Sequence, residues 1–318
     1  MTRIPVYVVG DYHEAALDRL RATSTVQPVF NNDPAKEEWP QKAVGLLIRW
    51  DTFLGEAEFS KATNLKVVVK QGVGVDNIDL EAAKRHGVQV YNTPAVNSEA
   101  VAELSLTLAL ALARRVCVMD RAIRRGEKLI RSQWFSKSLY QKTVGLVGMG
   151  NIGRELAIKW RSAMDAHLVA FDPYFPEDGW SNITHTRVQS LEELLKVSDV
   201  VTIQVPLNEE TRGLLGDKEL ALMKDQSILT NTARGGIVDE SALLRAVTAK
   251  KFWGVGLDAM NVEPPTLDAY EELLKHENVL MTPHVGGDTF ETQVRSGIVA
   301  VETLLSALGG GQPHGRQA

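Results

Sequence analysis

The chain has 318 residues, more than one ordinary compact domain uses and enough for about two. Hydrophobic residues make up 44% and charged residues 24%, the balance of a globular protein with material for sizeable cores. The formal net charge is -5 and no long Lys/Arg run stands out, which argues against nucleic acid or an anionic membrane as a partner. The single cysteine, Cys117, can form no internal disulfide, as suits a reducing compartment. Its surroundings favour a buried apolar filler over a reactive thiol. Met1-Thr2-Arg3-Ile4 lacks the apolar run of a signal peptide, and the most apolar helical stretch, residues 104–113, is about half of what a bilayer requires. A cytoplasmic protein with no membrane contact is expected.

In chain order the pattern is β then α. Residues 5–10, 44–49, 65–70 and 89–92 are short and rich in Val, Ile and Leu, with helix-forming stretches such as 13–21 and 79–86 between them. That alternation predicts an α/β fold with parallel sheets covered by helices on both faces. At Asn97 or Ser98 a helix can be capped, and residues 100–115 are apolar on nearly every face, predicting a helix buried on most sides that bridges two domains. The β-α rhythm then resumes at 143–147, 151–160, 167–171, 200–204, 227–231, 252–258 and 279–281. An amphipathic stretch, 289–308, follows, and the glycine-rich tail from Gly309 reads as disordered.

Gly148-Met149-Gly150-Asn151-Ile152-Gly153 lies between a strand and a helix. The first glycine permits a tight turn, the second lets backbone approach a pyrophosphate, and the third lets helix and strand pack closely. A glycine-rich turn alone is a common device. Here the acid Asp172 ends the next strand at the distance that suits adenosine ribose hydroxyls. A carboxylate there repels a 2′-phosphate, and Pro173-Tyr174-Phe175-Pro176 supplies no Arg or Lys to hold one, so NAD is expected over NADP. The plain alternative is a surface Asp starting a turn before Pro173.

Three further strand ends carry candidate chemistry: Asn231-Thr232-Ala233-Arg234, the run from Asp258 to Glu263, and Thr282-Pro283-His284-Val285-Gly286. Ligands collect at such ends in α/β folds. Arg234 as a surface ion pair, Glu263 as a turn residue and His284 as an ordinary strand-end histidine are the bland readings. Three accidents at one sheet edge are much less probable than one site. No metal site is expected.

With these motifs in this order, the sequence resembles the D-isomer-specific 2-hydroxyacid dehydrogenase family over nearly its whole length. The segment Gln204 to Thr211, including Val205, Pro206 and Thr211, resembles the family's loop near the cofactor, and Gly72-Val73-Gly74-Val75 resembles the loop that receives the substrate carboxylate. The resemblance implies a hydride passing between nicotinamide C4 and substrate C2. Arg234 would hold the carboxylate and polarise the C2 oxygen. His284 would act as acid/base, and Glu263 would orient it and favour its protonated form. Thr232, Ala233, Asp258 and Gly286 would lie against the cofactor. The resemblance further implies two parallel-sheet domains with the site in a cleft between them. Residues 1–98 with 287–318 would bind substrate, and 99–286 would bind NAD. A homodimer joined through the NAD domain is also implied, for which the helix at 100–115 and its sequel with Trp134 and Phe135 are candidates; an internal packing role serves them equally. The segment 92–103 is most similar to the phosphoglycerate dehydrogenase branch, although Lys70 stands where that branch usually has Arg, and the regulatory domains of many longer members are not expected. Lys70 and Arg49 are expected near the substrate. Formate enzymes place Gln at Glu263, and phosphite enzymes place Lys near Val73. Phosphoglycerate dehydrogenase proper and a non-catalytic NAD(H)-sensing corepressor are the alternatives.

Overall fold

The computed structural model describes residues 3–318; Met1 and Thr2, part of the polar N-terminus noted above, lie outside the described residues. Contacts divide the chain into two compact units, Met1–Asn97 with Gly287–Ala318, and Ser98–Gly286.

In the first unit, β1 (Ile4–Val8), β2 (Val26–Val29), β3 (Gly45–Ile48), β4 (Val67–Lys70) and β5 (Gln89–Asn92) form one parallel sheet in the order β2-β1-β3-β4-β5. Strands β3 and β4 are buried at every position, as continuous apolar strands with helices on both faces must be. One face packs on Ala16 and Leu20 of the helix Glu14–Arg21 and on Ala300, Val301 and Leu304 of the helix Phe290–Leu308. The other packs on Phe59, Ala82 and Ala83. Strand β2 escaped the sequence reading because Gln27 and Pro28 break its apolar run; it lies at the sheet edge, where proline is tolerated.

The glycine-rich tail is a correction. Instead of being disordered, it turns back on the helix Phe290–Leu308, with the Gly311 N–H donating to Ser306 O at 2.9 Å. It then runs antiparallel to β5, bridging Tyr91 to Arg316. The Gln317 N–H donates to Val90 O at 2.7 Å, and the Asn92 N–H donates to Gly315 O at 2.9 Å. An edge strand leaves backbone groups unpaired, and this tail satisfies them.

In the second unit, β6 (Thr143–Val147), β7 (His167–Phe171), β8 (Thr186–Arg187), β9 (Val200–Ile203), β10 (Ser227–Asn231), β11 (Phe252–Leu257) and β12 (Val279–Met281) form a parallel sheet ordered β12-β11-β10-β9-β6-β7-β8. Because β6 neighbours β9, the winding reverses between them, and the carboxyl ends there form the crevice in which such sheets bind ligands. One face carries the helices Ser98–Ala113 and Asn151–Met164, which add Leu108, Leu112, Leu156 and Trp160 to the core.

The helix Ser98–Ala113, the first element of this unit, exposes only a narrow edge, including Glu103 and Thr107, and packs into the unit's core. Its apolar face is therefore used internally. It stops two residues before the expected end. Arg115 adopts a left-handed φ of 55°, and a second helix, Val116–Arg124, begins. Cys117 on that helix is half-buried against the core, not fully enclosed. Phe135 in the sequel is exposed. Among the described residues no helix is long and apolar enough to cross a membrane.

Candidate active site

The glycine turn after β6 has the steric properties of a pyrophosphate cradle. Gly148 has φ +103°, and a Cβ there would lie 2.6 Å from Gln204 O and 3.1 Å from Val205 Cγ1. A Cβ on Gly153 would meet Gly148 O at 2.2 Å, so the helix and the turn touch backbone to backbone. Gly150, in contrast, faces open space, with nothing within 4 Å of an added Cβ. No side chain caps the helix Asn151–Met164 at Gly150, whereas Asp79, Ser190, Asp239 and Thr289 cap theirs. Open space at uncapped N–H groups is what an anionic phosphate requires. Asn151 is exposed at the helix start, and Ile152 packs into the core beneath it.

Asp172, half-buried at the end of β7, accepts from the Met149 N–H at 2.9 Å with one carboxylate oxygen. Its other oxygen accepts from the N–H groups of Tyr174 and Phe175 at 3.0 and 3.1 Å. These bonds fix the acid against the glycine turn while leaving lone pairs for further donors. Sequence reasoning missed Arg187. Its guanidinium donates to the carbonyls of Asp172 at 2.8 Å, Phe175 at 2.5 Å and Pro176 at 2.6 Å. The cation near this acid is thus committed to backbone oxygens rather than presented to a 2′-phosphate. Pro173 is exposed beside it. Across the crevice the loop after β9 is closed by Thr211, whose hydroxyl donates to Pro206 O at 2.6 Å and accepts from the Asn208 N–H at 2.8 Å. The Tyr174 hydroxyl donates to Glu210 and joins the two loops.

At the ends of β10, β11 and β12 the expected chemical residues converge. His284 Nδ1 lies 2.7 Å from Glu263 Oε2, and each side chain is about one-third exposed. The second Glu263 oxygen accepts from the Met260 N–H at 3.0 Å. Burial alone would push the Glu263 carboxyl up. The hydrogen bonds from His284 and Met260, with the nearby charges of His284 and Arg234, outweigh burial and hold it below the ordinary carboxylate range. His284 has φ 56°, a left-handed conformation costing roughly 1–2 kcal/mol for a residue with a Cβ.

That turn is held by Asp258, which is 1% exposed. Asp258 accepts from the Thr282 hydroxyl at 2.6 Å and from the N–H groups of Val285 and Gly286, both at 2.9 Å. It holds the Thr282 side chain before the histidine and two backbone N–H groups after it. The expected cofactor contact of Asp258 therefore shares its carboxylate with this structural duty.

Asn231, also buried, performs the equivalent task for Arg234. Its amide donates to Arg234 O at 2.8 Å and accepts from the Ala233 N–H at 3.1 Å. The Arg234 guanidinium donates to Ala233 O at 2.8 Å. Thr232 is buried and accepts from the Gln204 amide at 2.9 Å. The turn bearing Arg234 nests into the one bearing Glu263 because Gly235 has no side chain: a Cβ there would fall 2.0 Å from Met260 O.

The remaining candidates lie in the first unit. Arg49, after β3, donates to Asp11 O at 2.5 Å and pairs with Asp288 at 3.6 Å. Lys70 ends β4 with its side chain buried, its ammonium 2.9 Å from where a Gly72 Cβ would be. Behind the following loop, the Thr93 hydroxyl accepts from the Gly72 N–H at 2.8 Å and the Asn92 amide donates to Val73 O at 2.6 Å. Val73 is 38% exposed and Gly74 half-buried. Among the described residues no group of three His, Cys, Asp or Glu side chains is placed to hold a metal ion.

The turn, the acid and the reversed sheet define a dinucleotide-binding domain. Residues 106–286 match the model of the D-isomer specific 2-hydroxyacid dehydrogenase, NAD binding domain. The chain belongs to the D-isomer specific 2-hydroxyacid dehydrogenase family, a family of oxidoreductases, and NAD is the cofactor of the matched domain. It is 40% identical to a hydroxypyruvate reductase of Thermotoga maritima, over 83% of this chain and 84% of that one. To a D-3-phosphoglycerate dehydrogenase of Methanocaldococcus jannaschii it is 36% identical over 96% of its own length, but it spans only 58% of that relative. A D-lactate dehydrogenase of Aquifex aeolicus, solved with NAD and lactic acid, superposes with a TM-score of 0.82 at 28% identity, covering 96% of each chain.

Proposed function

We propose that this protein is an NAD-dependent D-2-hydroxyacid dehydrogenase that reduces small 2-keto acids, with His284 as acid/base, Glu263 orienting it and Arg234 binding the substrate carboxylate. The observation that carries the reading is the His284–Glu263 pair at 2.7 Å, held at the strand ends beside Arg234. A carboxylate accepts only, so it fixes the proton on Nδ1 and leaves Nε2 to exchange a proton with the substrate oxygen. Arg234 offers a planar fork that matches a carboxylate and withdraws charge from the adjoining C2 oxygen. Bound NAD(H) supplies the hydride acceptor or donor. Gly148, Gly150, Asn151, Ile152 and Gly153 hold its pyrophosphate, and Asp172 and Pro173 face its adenosine ribose. Val205, Pro206, Thr211, Thr232, Ala233, Arg234, Asp258, His284 and Gly286 line the rest. The backbone of Val73 and Gly74, with Lys70 and Arg49, receives the substrate in the first unit, which serves as the substrate-binding domain.

The relatives favour hydroxypyruvate as substrate and its phosphorylated counterpart as the second reading. Oxidation of NADH against glyoxylate, pyruvate, hydroxypyruvate and phosphohydroxypyruvate, with NADPH in parallel, separates them. Turnover with NADH supports the reading, and the ranking assigns the substrate. NADH binding without turnover of any acid would replace it with a sensor or corepressor function. We place the protein in the cytoplasm, a reducing compartment suited to its one cysteine, which cell fractionation checks. The exposed Ile123, Ile130 and Phe135 support a homodimer contact on the second unit. A monomer mass by light scattering would contradict that.

A further inference from the structure

The loop carrying Glu263 spends three successive backbone N–H groups on three different side chains. Met260 N–H donates to Glu263 itself at 3.0 Å, Asn261 N–H to Glu240 Oε1 at 2.7 Å, and Val262 N–H to the Tyr270 hydroxyl at 2.8 Å. The Tyr270 hydroxyl in turn donates to Glu240 Oε1 at 3.4 Å. Both braces are carried by helices of the second unit. Tyr270 is 4% exposed, its ring packed in the second unit's core on the helix Leu267–Leu274. Glu240 is the first residue of the helix Glu240–Thr248, directly after the capping Asp239. The loop is therefore fastened at its middle to the start of one helix and to the kinked middle of another, and Glu263 leaves it one residue beyond the last fastening. An acid–base pair works only within about 0.5 Å of its productive geometry, a tolerance an unfastened surface loop does not keep.

We propose that Tyr270 and Glu240 are positioning residues for the acid–base pair, holding the loop 259–265 so that the Glu263 carboxylate meets His284 Nδ1. The inference rests on the catalytic reading above and names two groups that touch neither substrate nor cofactor. Burial pushes the Glu240 carboxyl up, opposed by the Asn261 N–H and the Tyr270 hydroxyl, and both donors ask only for an acceptor oxygen at Oε1. A neutral acceptor should therefore replace it.

The test uses the whole chain with Tyr270→Phe, Glu240→Ala and Glu240→Gln. Tyr270→Phe and Glu240→Ala each remove one fastening. Each should lower kcat for the best 2-keto acid roughly tenfold while leaving the NADH Kd within about twofold. In both, the Glu263 carboxyl, followed by NMR without substrate, should titrate closer to the ordinary carboxylate range. Glu240→Gln keeps an acceptor oxygen and should restore most of what Glu240→Ala loses. Lowered melting temperatures with wild-type kcat and wild-type Glu263 titration would overturn the proposal, leaving the braces a purely structural role. A wild-type protein inactive on every acid would instead sink the catalytic reading, while the Glu263 titration would still report on the brace.

Discussion

The two units build their strand-end loops from the same kind of sheet, yet they present different chemistry. In the second unit, buried Asp258 and Asn231 lock the backbone so that the side chains of His284, Glu263 and Arg234 are held at one sheet edge. In the first, Thr93 and Asn92 lock the loop after β4 from behind, leaving the residues Val73 and Gly74 at the surface of the turn. One loop set works through side chains and the other, in the proposed function, through its backbone. Substitutions should therefore hurt in different ways in the two places.

The largest expected effect is at His284. His284→Ala should lower kcat at least ~10²-fold with NADH binding retained, the lower range for a positioned acid–base group; unchanged turnover would remove the histidine from the mechanism. Next is Arg234→Lys, which keeps the charge but loses the fork. It should cost roughly tenfold to a hundredfold in kcat/KM, the range for one charge-assisted hydrogen bond, and a steady-state comparison on the best keto acid checks it. Smaller effects are expected in the first unit. Val73→Ala alters a side chain where backbone does the binding, and should move KM by no more than about twofold. Thr93→Val removes the acceptor of the Gly72 N–H and should raise KM roughly fivefold with kcat retained. If Val73→Ala proved the more damaging of the two, the backbone assignment would be wrong.

The smallest effect expected is on pH. Glu263 is held below the ordinary range in the folded protein, so its contribution to stability is fully present above its unfolded value and is lost as pH falls through the folded one. The loop after β4 is braced by hydroxyl and amide groups that do not titrate. On acidification, amide exchange should accelerate in the loop 259–265 before it does around Gly72. The reverse order would contradict the contrast.

The same contrast explains what the sequence disclosed. His284, Glu263 and Arg234 were legible because residue type at a strand end is itself the signal. Strands β5, β6, β7, β10 and β12 were legible to the residue because each is a short segment carrying apolar residues between helix-forming stretches. Val73 and Gly74 came into view only through family resemblance, since a backbone donor leaves no mark on residue type. Tyr270, Glu240 and Arg187 were invisible because their work depends on contacts with other chain segments, 21 residues apart for Glu240 and Asn261, and Asn231 because its bonds to Ala233 and Arg234 exist only once the turn has formed. Arg115 broke the long apolar helix with neither Gly nor Pro to announce it. The tail misled for a related reason: three consecutive glycines look flexible, yet the residues after them complete a sheet edge.

The central claim is that this chain moves a hydride between NADH and C2 of a small acid to give the D product. The most direct measurement is a reaction with NADH carrying deuterium at both positions of nicotinamide C4, using the best 2-keto acid, followed by NMR and chiral analysis of the product. The account predicts deuterium at C2 of a D-2-hydroxy acid from the wild type and at least ~10²-fold slower transfer from His284→Ala. An L product, label absent from C2, or equal transfer by the variant would contradict it.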